Sequence, residues 1–90
     1  MTHFHSHESQ DALVKRLKRA EGHLRNVIVM VEDHRRCNDL AQQLHAVEKA
    51  INSAKKALIH EHLDHCLSEA IESADSQEAL AEFREITKYL

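Results

Sequence analysis

The chain has 90 residues, with 12 Lys and Arg against 15 Asp and Glu for a formal net charge of −3, and it carries 9 His, 2 Cys, 1 Gly and no Pro. Such a length makes one small domain, which buries proportionally little surface alone and gains stability from dimerisation or a metal. The lack of Pro and the abundance of strong helix formers predict an all-α fold, the negative balance excludes indiscriminate nucleic-acid binding, and the lack of a long apolar run or an export leader excludes a membrane span and suggests a cytoplasmic protein.

Residues 1–10 hold His3, His5 and His7 among polar neighbours with no apolar periodicity, and read as a flexible arm ahead of a single helical domain over 11–90. From Leu13 the apolar residues Leu13, Leu17, Ala20, Leu24, Val27 and Val31 follow a four-three spacing that puts them on one helical stripe, predicting a helix from Ser9 to Asp33. Gly22 lies inside it, where glycine costs about 1 kcal/mol relative to alanine, so a close helix contact is expected there. After a polar corner at His34 to Arg36, Leu40, Leu44, Val47, Ile51, Ala54 and Leu58 repeat the spacing and predict a second helix from Cys37 to Ala70. A third is expected after an N-cap at Asp75 or Ser76, with Glu78 in the capping-box relation and Ala79, Phe83, Ile86 and Leu90 on one face. Two long helices joined by a short corner form an antiparallel hairpin, and two hairpins enclose their stripes better than one, so an antiparallel four-helix-bundle dimer is expected.

Extending the second stripe back by three residues from Leu40 reaches Cys37; extending it forward by four from Leu58 reaches His62 and then Cys66. In a chain without a leader, two cysteines among many histidines point to a metal or redox site sooner than to a structural disulfide. The 25 steps from Cys37 to His62 span about 37 Å of helix, so one ion can meet both only if a second, antiparallel chain supplies one of them. His62 and Cys66 stand four apart and share a face. Two thiolates and an imidazole suit Cu(I), and with a fourth ligand such as His5 or His7 also suit Ni(II), Co(II) or Zn(II). A solvated tail is the plainer reading of His3, His5 and His7. His60 and His65 lie off the centre of the stripe. An enzyme with a cysteine nucleophile would need a glycine-rich loop, an oxyanion-forming turn or a third orienting residue, and none is evident, so the chain reads as a non-enzyme.

Lys15, Arg16, Lys18, Arg19 and Arg25 give the first helix five positive charges against one acid, Glu21, between positions 15 and 25, while Glu69 to Glu85 is acidic. Lys15, Lys18 or Arg19, and Arg25 share one side, which a dimer would double into a surface able to meet duplex phosphates. Lys49, Lys55 and Lys56 on the second helix extend it. A merely solvated face is the competing reading, and a helical metal-buffering module without a DNA role is its functional form.

The stretches Leu17-Lys18-Arg19-Ala20-Glu21-Gly22-His23-Leu24-Arg25, Cys37-Asn38-Asp39-Leu40, Gln43-Leu44-His45-Ala46-Val47 and His60-Glu61-His62-Leu63-Asp64-His65-Cys66 resemble the copper-sensitive operon repressor family, which includes nickel/cobalt and formaldehyde sensors. The resemblance runs from Leu13 to Leu90, and its most specific element is the spacing of Cys37, His62 and Cys66, which is similar to the Cu(I)-sensor arrangement. It implies a three-helix protomer, a dimer of dimers, and a repressor that binds operator DNA when metal-free and releases it on metal binding, derepressing metal export genes. It also implies DNA contacts at Lys15, Arg16, Lys18 and Arg19, and a supporting glutamate that Glu82 matches. Two departures stand out: Arg36 replaces a tyrosine that copper sensors commonly carry before the first cysteine, and Glu48 and Ser53 occupy the stretch where relatives often place an arginine for DNA. Nickel sensors of the family add an N-terminal histidine. A persulfide or oxidant sensor linking Cys37 to Cys66 of another chain is a further alternative.

Overall fold

The computed structural model describes residues 7–72 and 76–90, with side chains described for 9–64 and 77–90. It contains α1 (His7–Glu32), α2 (Cys37–Glu72) and α3 (Ser76–Ile86), followed by a 3-10 turn over Thr87–Tyr89. The all-α, three-helix protomer agrees with the spacing of the apolar residues. α1 starts two residues before the expected Ser9, so the last four residues of the expected arm form its first turn. Residues 1–6, with His3 and His5, and the expected cap at Asp75 lie outside the described residues. No helix among the described residues is long and apolar enough to cross a membrane.

The corner between α1 and α2 is a Schellman motif built on a histidine. His34 has φ 57°, its N–H bonds to the Val31 carbonyl at 3.1 Å, and the Arg35 N–H reaches back to the Met30 carbonyl at 3.0 Å. These bonds satisfy carbonyls that the helix end leaves unpaired and reverse the chain within four residues. The Leu40 N–H on the Arg36 carbonyl, 3.1 Å, then opens α2.

The hairpin buries only part of each stripe. α1 packs on α2, and Ala20 and Val27 of the first helix and Val47 and Ala54 of the second are buried. Each pair is seven residues apart, one line of the four-three pattern. The other line remains uncovered within the protomer: Leu17 and Leu24 on α1 are 43% and 42% exposed, and Leu44, Ile51 and Leu58 on α2 are 48%, 47% and 37% exposed. Ile59 lies off the α1-facing line and Ala79 sits on α3; both are buried, and among the described residues α3 packs on α2 and not on α1. The expected close contact at Gly22 is not made inside the protomer, because a Cβ built there meets nothing within 4 Å.

The resulting body measures 58 × 25 × 15 Å with a radius of gyration of 17.6 Å. A compact chain of this length would have a radius near 12 Å. The 15 Å extent is little more than one helix diameter, about 10–12 Å. The protomer is therefore a single layer of helices, and a single layer has no second surface to cover its remaining apolar line.

One half-buried polar contact crosses the hairpin: His23 Nε2 lies 2.7 Å from Gln43 Oε1, with the imidazole donating. Shape alone would let two stripes with a seven-residue repeat slide by one heptad, and this bond is lost in any other register. Removing one partner leaves the other without its bond. We expect Gln43→Leu to lower stability by about 1–3 kcal/mol, and His23→Leu combined with Gln43→Leu to recover most of that loss, as read by urea unfolding at fixed protein concentration. At the corner, the left-handed conformation costs a non-glycine residue about 1–2 kcal/mol, against about 0.5–1 kcal/mol of extra chain entropy for glycine. His34→Gly should thus stabilise by roughly 0.5–1 kcal/mol in the same measurement.

Candidate metal centre and nucleic-acid interface

Cys37 is the first residue of α2 and its thiol is free and exposed. His62 is half-buried further along the same helix, and Cys66 follows one turn later; the Cys66 side chain lies outside the described residues. α2 runs unbroken from Cys37 to Glu72, so the separation of about 37 Å between Cys37 and His62 stands, and one protomer cannot bring them together. Among the described residues, no group of three or more His, Cys, Asp or Glu side chains of the protomer could hold a metal.

The trio occupies a particular flank of α2. Cys37 is seven residues before Leu44, and His62 is four after Leu58, so both continue the exposed line of Leu44, Ile51 and Leu58 and not the α1-facing line of Val47 and Ala54. The sequence placed all three on a buried seam; in the protomer Cys37, Leu44, Ile51 and Leu58 of that seam are exposed and His62 is half-buried. As a donor set, two thiolates and an imidazole fit a soft monovalent ion such as Cu(I), which accepts low coordination numbers. His7 belongs to the first turn of α1, with a side chain outside the described residues. Because α1 and α2 are antiparallel, that turn lies beside the C-terminal half of α2, and Ser9, Leu13 and Glu61 line one cavity of about 170 Å³. Glu82 is half-buried on α3, and Arg36 is exposed in the corner ahead of Cys37.

The basic residues divide. Lys15, Arg16 and Arg19 line an open cleft of about 800 Å³ between α1 and α2, together with Asp11, Ala50 and Ser53. Arg16 is aimed across it, donating from Nη1 to Ser53 Oγ at 3.0 Å. Lys49 and Lys56 stand four before and three after Ser53, on the cleft side of α2. Lys18 is exposed further around α1, and Arg25 pairs with Glu21 at 3.5 Å, a surface contact of small value. Lys55 stands apart from the cleft: it is four after Ile51 and three before Leu58, on the exposed apolar flank. Ser53 and Gln43 were missed as partners of Arg16 and His23, since nothing in the local pattern of either helix shows what lies opposite across the hairpin.

This architecture is shared with known proteins. The chain matches the family described as metal-sensitive transcriptional repressors over residues 9–89. It is 36% identical over 83 residues to a copper-sensing transcriptional repressor, CsoR, of Bacillus subtilis (strain 168), covering 92% of this chain and 82% of that protein. It is 37% identical over 87 residues to the CsoR of Mycobacterium ulcerans (strain Agy99), covering 93% and 74%. Among solved structures, the nickel-responsive transcriptional regulator InrS superposes with a TM-score of 0.85 at 35% identity, covering 98% of this chain and all of that one (100%). The copper-sensing repressor CsoR with Cu(I) from Geobacillus thermodenitrificans NG80-2 gives 0.84 at 34% identity, covering 98% and 91%. With sequence and structure agreeing along nearly its full length, the chain belongs to the metal-sensitive transcriptional repressor family, and it is a metal-sensing transcriptional repressor and not an enzyme.

Proposed function

We propose that this protein is a Cu(I)-responsive repressor that holds operator DNA when metal-free and releases it when Cu(I) joins Cys37 of one protomer to His62 and Cys66 of its partner. The observation that carries the reading is the continuity of the trio with the exposed line Leu44, Ile51 and Leu58. The surface that needs a second copy is the one that presents the ligands. Two protomers paired with their α2 helices antiparallel cover that line and complete two equivalent sites, and two such dimers make the proposed tetramer. The bound ion supplies a link between two hairpins that are otherwise held only by noncovalent contacts. Lys15, Arg16, Lys18 and Arg19 meet backbone phosphates, with Lys49 and Lys56 beside them and Arg25 at the edge. The regulated genes would encode metal export, and the protein would act in the cytoplasm.

The two sites sit on opposite flanks of α2, so the ligands do not touch the residues that meet DNA. Release must come from a change in how one hairpin is placed against the other, which alters the spacing of the basic clefts. By linkage, Cu(I) binds the DNA-free form more tightly by the factor by which it weakens DNA binding, commonly 5- to 150-fold.

A nickel or cobalt reading has its own support: the first turn of α1, which carries His7, lies beside the end of α2 that carries His62, as the shared cavity of Ser9 and Glu61 requires. An N-terminal histidine there would raise the ligand count to four, as Ni(II) and Co(II) need. Zn(II) would use the same set.

Operator binding followed by fluorescence anisotropy tests these readings. Stoichiometric Cu(I) should weaken binding at least about five-fold, and unchanged affinity in saturating Cu(I) would rule the copper version out. His62→Ala should abolish the response; a response that survives it points to a persulfide or oxidant sensor using Cys37 and Cys66 alone. Lys15→Glu with Arg19→Glu should weaken DNA binding and flatten its salt dependence, while a pure metal-buffering module would keep its cellular activity with both charges reversed. Mixing Cys37→Ala with His62→Ala chains should restore one intact site in each heterodimer, an outcome a site within one chain cannot produce.

A further inference from the structure

Two charged residues flank the open apolar line of α2 in matching positions. Glu48 is four after Leu44 and three before Ile51; Lys55 is four after Ile51 and three before Leu58. Both are exposed, and both share the flank of the ligand trio. Within one helix they are seven residues apart, about 10.5 Å along the axis, too far to pair. Among the described residues Glu48 has an exposed ion pair, His45 Nδ1 at 3.6 Å from its Oε1, and Lys55 has none within the protomer.

We infer that Glu48 and Lys55 of one protomer pair with the partner subunit's Lys55 and Glu48, and that these two bridges fix the register of the antiparallel dimer in which the sensing site forms. The pairing rests on the dimer proposed above and follows from its geometry. Placing Cys37 against the partner's His62 and Cys66 brings the two-fold axis close to Ile51. Leu44 then lies opposite the partner's Leu58 and Ile51 opposite the partner's Ile51. Glu48 falls within one residue, about 1.5 Å, of the level of the partner's Lys55, and the two-fold repeats the pair on the other side of the isoleucines. Charges bordering an apolar helix seam select orientation and register in this way: a slip of one heptad sets Glu48 against the partner's Glu48 or Lys55 against the partner's Lys55, and a parallel arrangement puts the two flanks on opposite sides of the seam, where neither pair forms. A slip of one heptad would still set apolar residues together, Leu44 or Leu58 against the partner's Ile51, but carry Cys37 away from its ligands by about 10 Å. The bridges thereby protect the metal site, and Lys55 serves the interface and not the DNA surface.

The test uses the metal-free, full-length chain at low ionic strength, where exposed charges are least screened. Dimer dissociation is measured by analytical ultracentrifugation for wild type, E48K, K55E and the double variant E48K/K55E, with circular dichroism checking that each stays helical. Each single reversal replaces two attractive pairs by two repulsive ones and should weaken the dimer on the order of ten-fold. The double variant, and an equimolar mixture of the two single variants, should return to within about three-fold of wild type. Operator affinity of the double variant should match wild type, which a phosphate contact by Lys55 would forbid. Single variants that dimerise like wild type, or a double variant as weak as the singles, overturn the pairing while leaving the dimer standing. A wild-type chain that remains monomeric at high concentration overturns the dimer itself.

Discussion

Each long helix of this protein carries two apolar lines with a seven-residue repeat, and a hairpin can cover only one of them. α1 and α2 spend their small residues on each other: Ala20, Val27, Val47 and Ala54 permit a close crossing but bury little area. The leucines and isoleucines on the second line stay open, and the body is one helix thick. Exposed apolar surface of this extent marks an interaction site in a soluble chain. The rest of the proposed biology depends on that unfinished layer. In the proposed dimer a second copy completes the core, and the same act brings Cys37 toward the residues that its own helix holds at a distance of about 37 Å.

The two edges of α2 carry different duties. One bears the trio, the leucine and isoleucine line and the Glu48 and Lys55 charges; the other bears Ser53, Lys49 and Lys56 beside the cleft of Lys15, Arg16 and Arg19. A stiff helix of 36 residues separates the functions laterally while connecting them mechanically. Under the proposed mechanism the hairpins move as bodies, because the half-buried His23–Gln43 bond and the tight alanine crossing leave little freedom inside each one. The ligands therefore act on the placement of hairpins, and the basic clefts report it. The Arg16–Ser53 contact fits this division: the serine of α2 accepts from the guanidinium of Arg16 and holds it in the cleft.

Much of this was legible in the residues. Four-three spacing located both long helices within two residues at each end, because an amphipathic pattern is a direct consequence of 3.6 residues per turn. The spacing of Cys37 and His62 showed that one straight helix cannot bring both to one ion, because helical rise is a fixed length. The sequence alone thus determined the helical class, and it made a second chain necessary for any site that joins Cys37 to His62. Only the tertiary structure decided which of the two apolar lines turns inward, since both have the same periodicity and the choice depends on the close fit of alanine and valine at the crossing. It also separated Lys55 from the cleft, paired Arg16 with Ser53 and His23 with Gln43, left Gly22 in open space, and built the corner on a left-handed His34. Those features arise from what lies opposite a residue or from a hydrogen-bonded turn, and a linear pattern records only what lies three or four positions away.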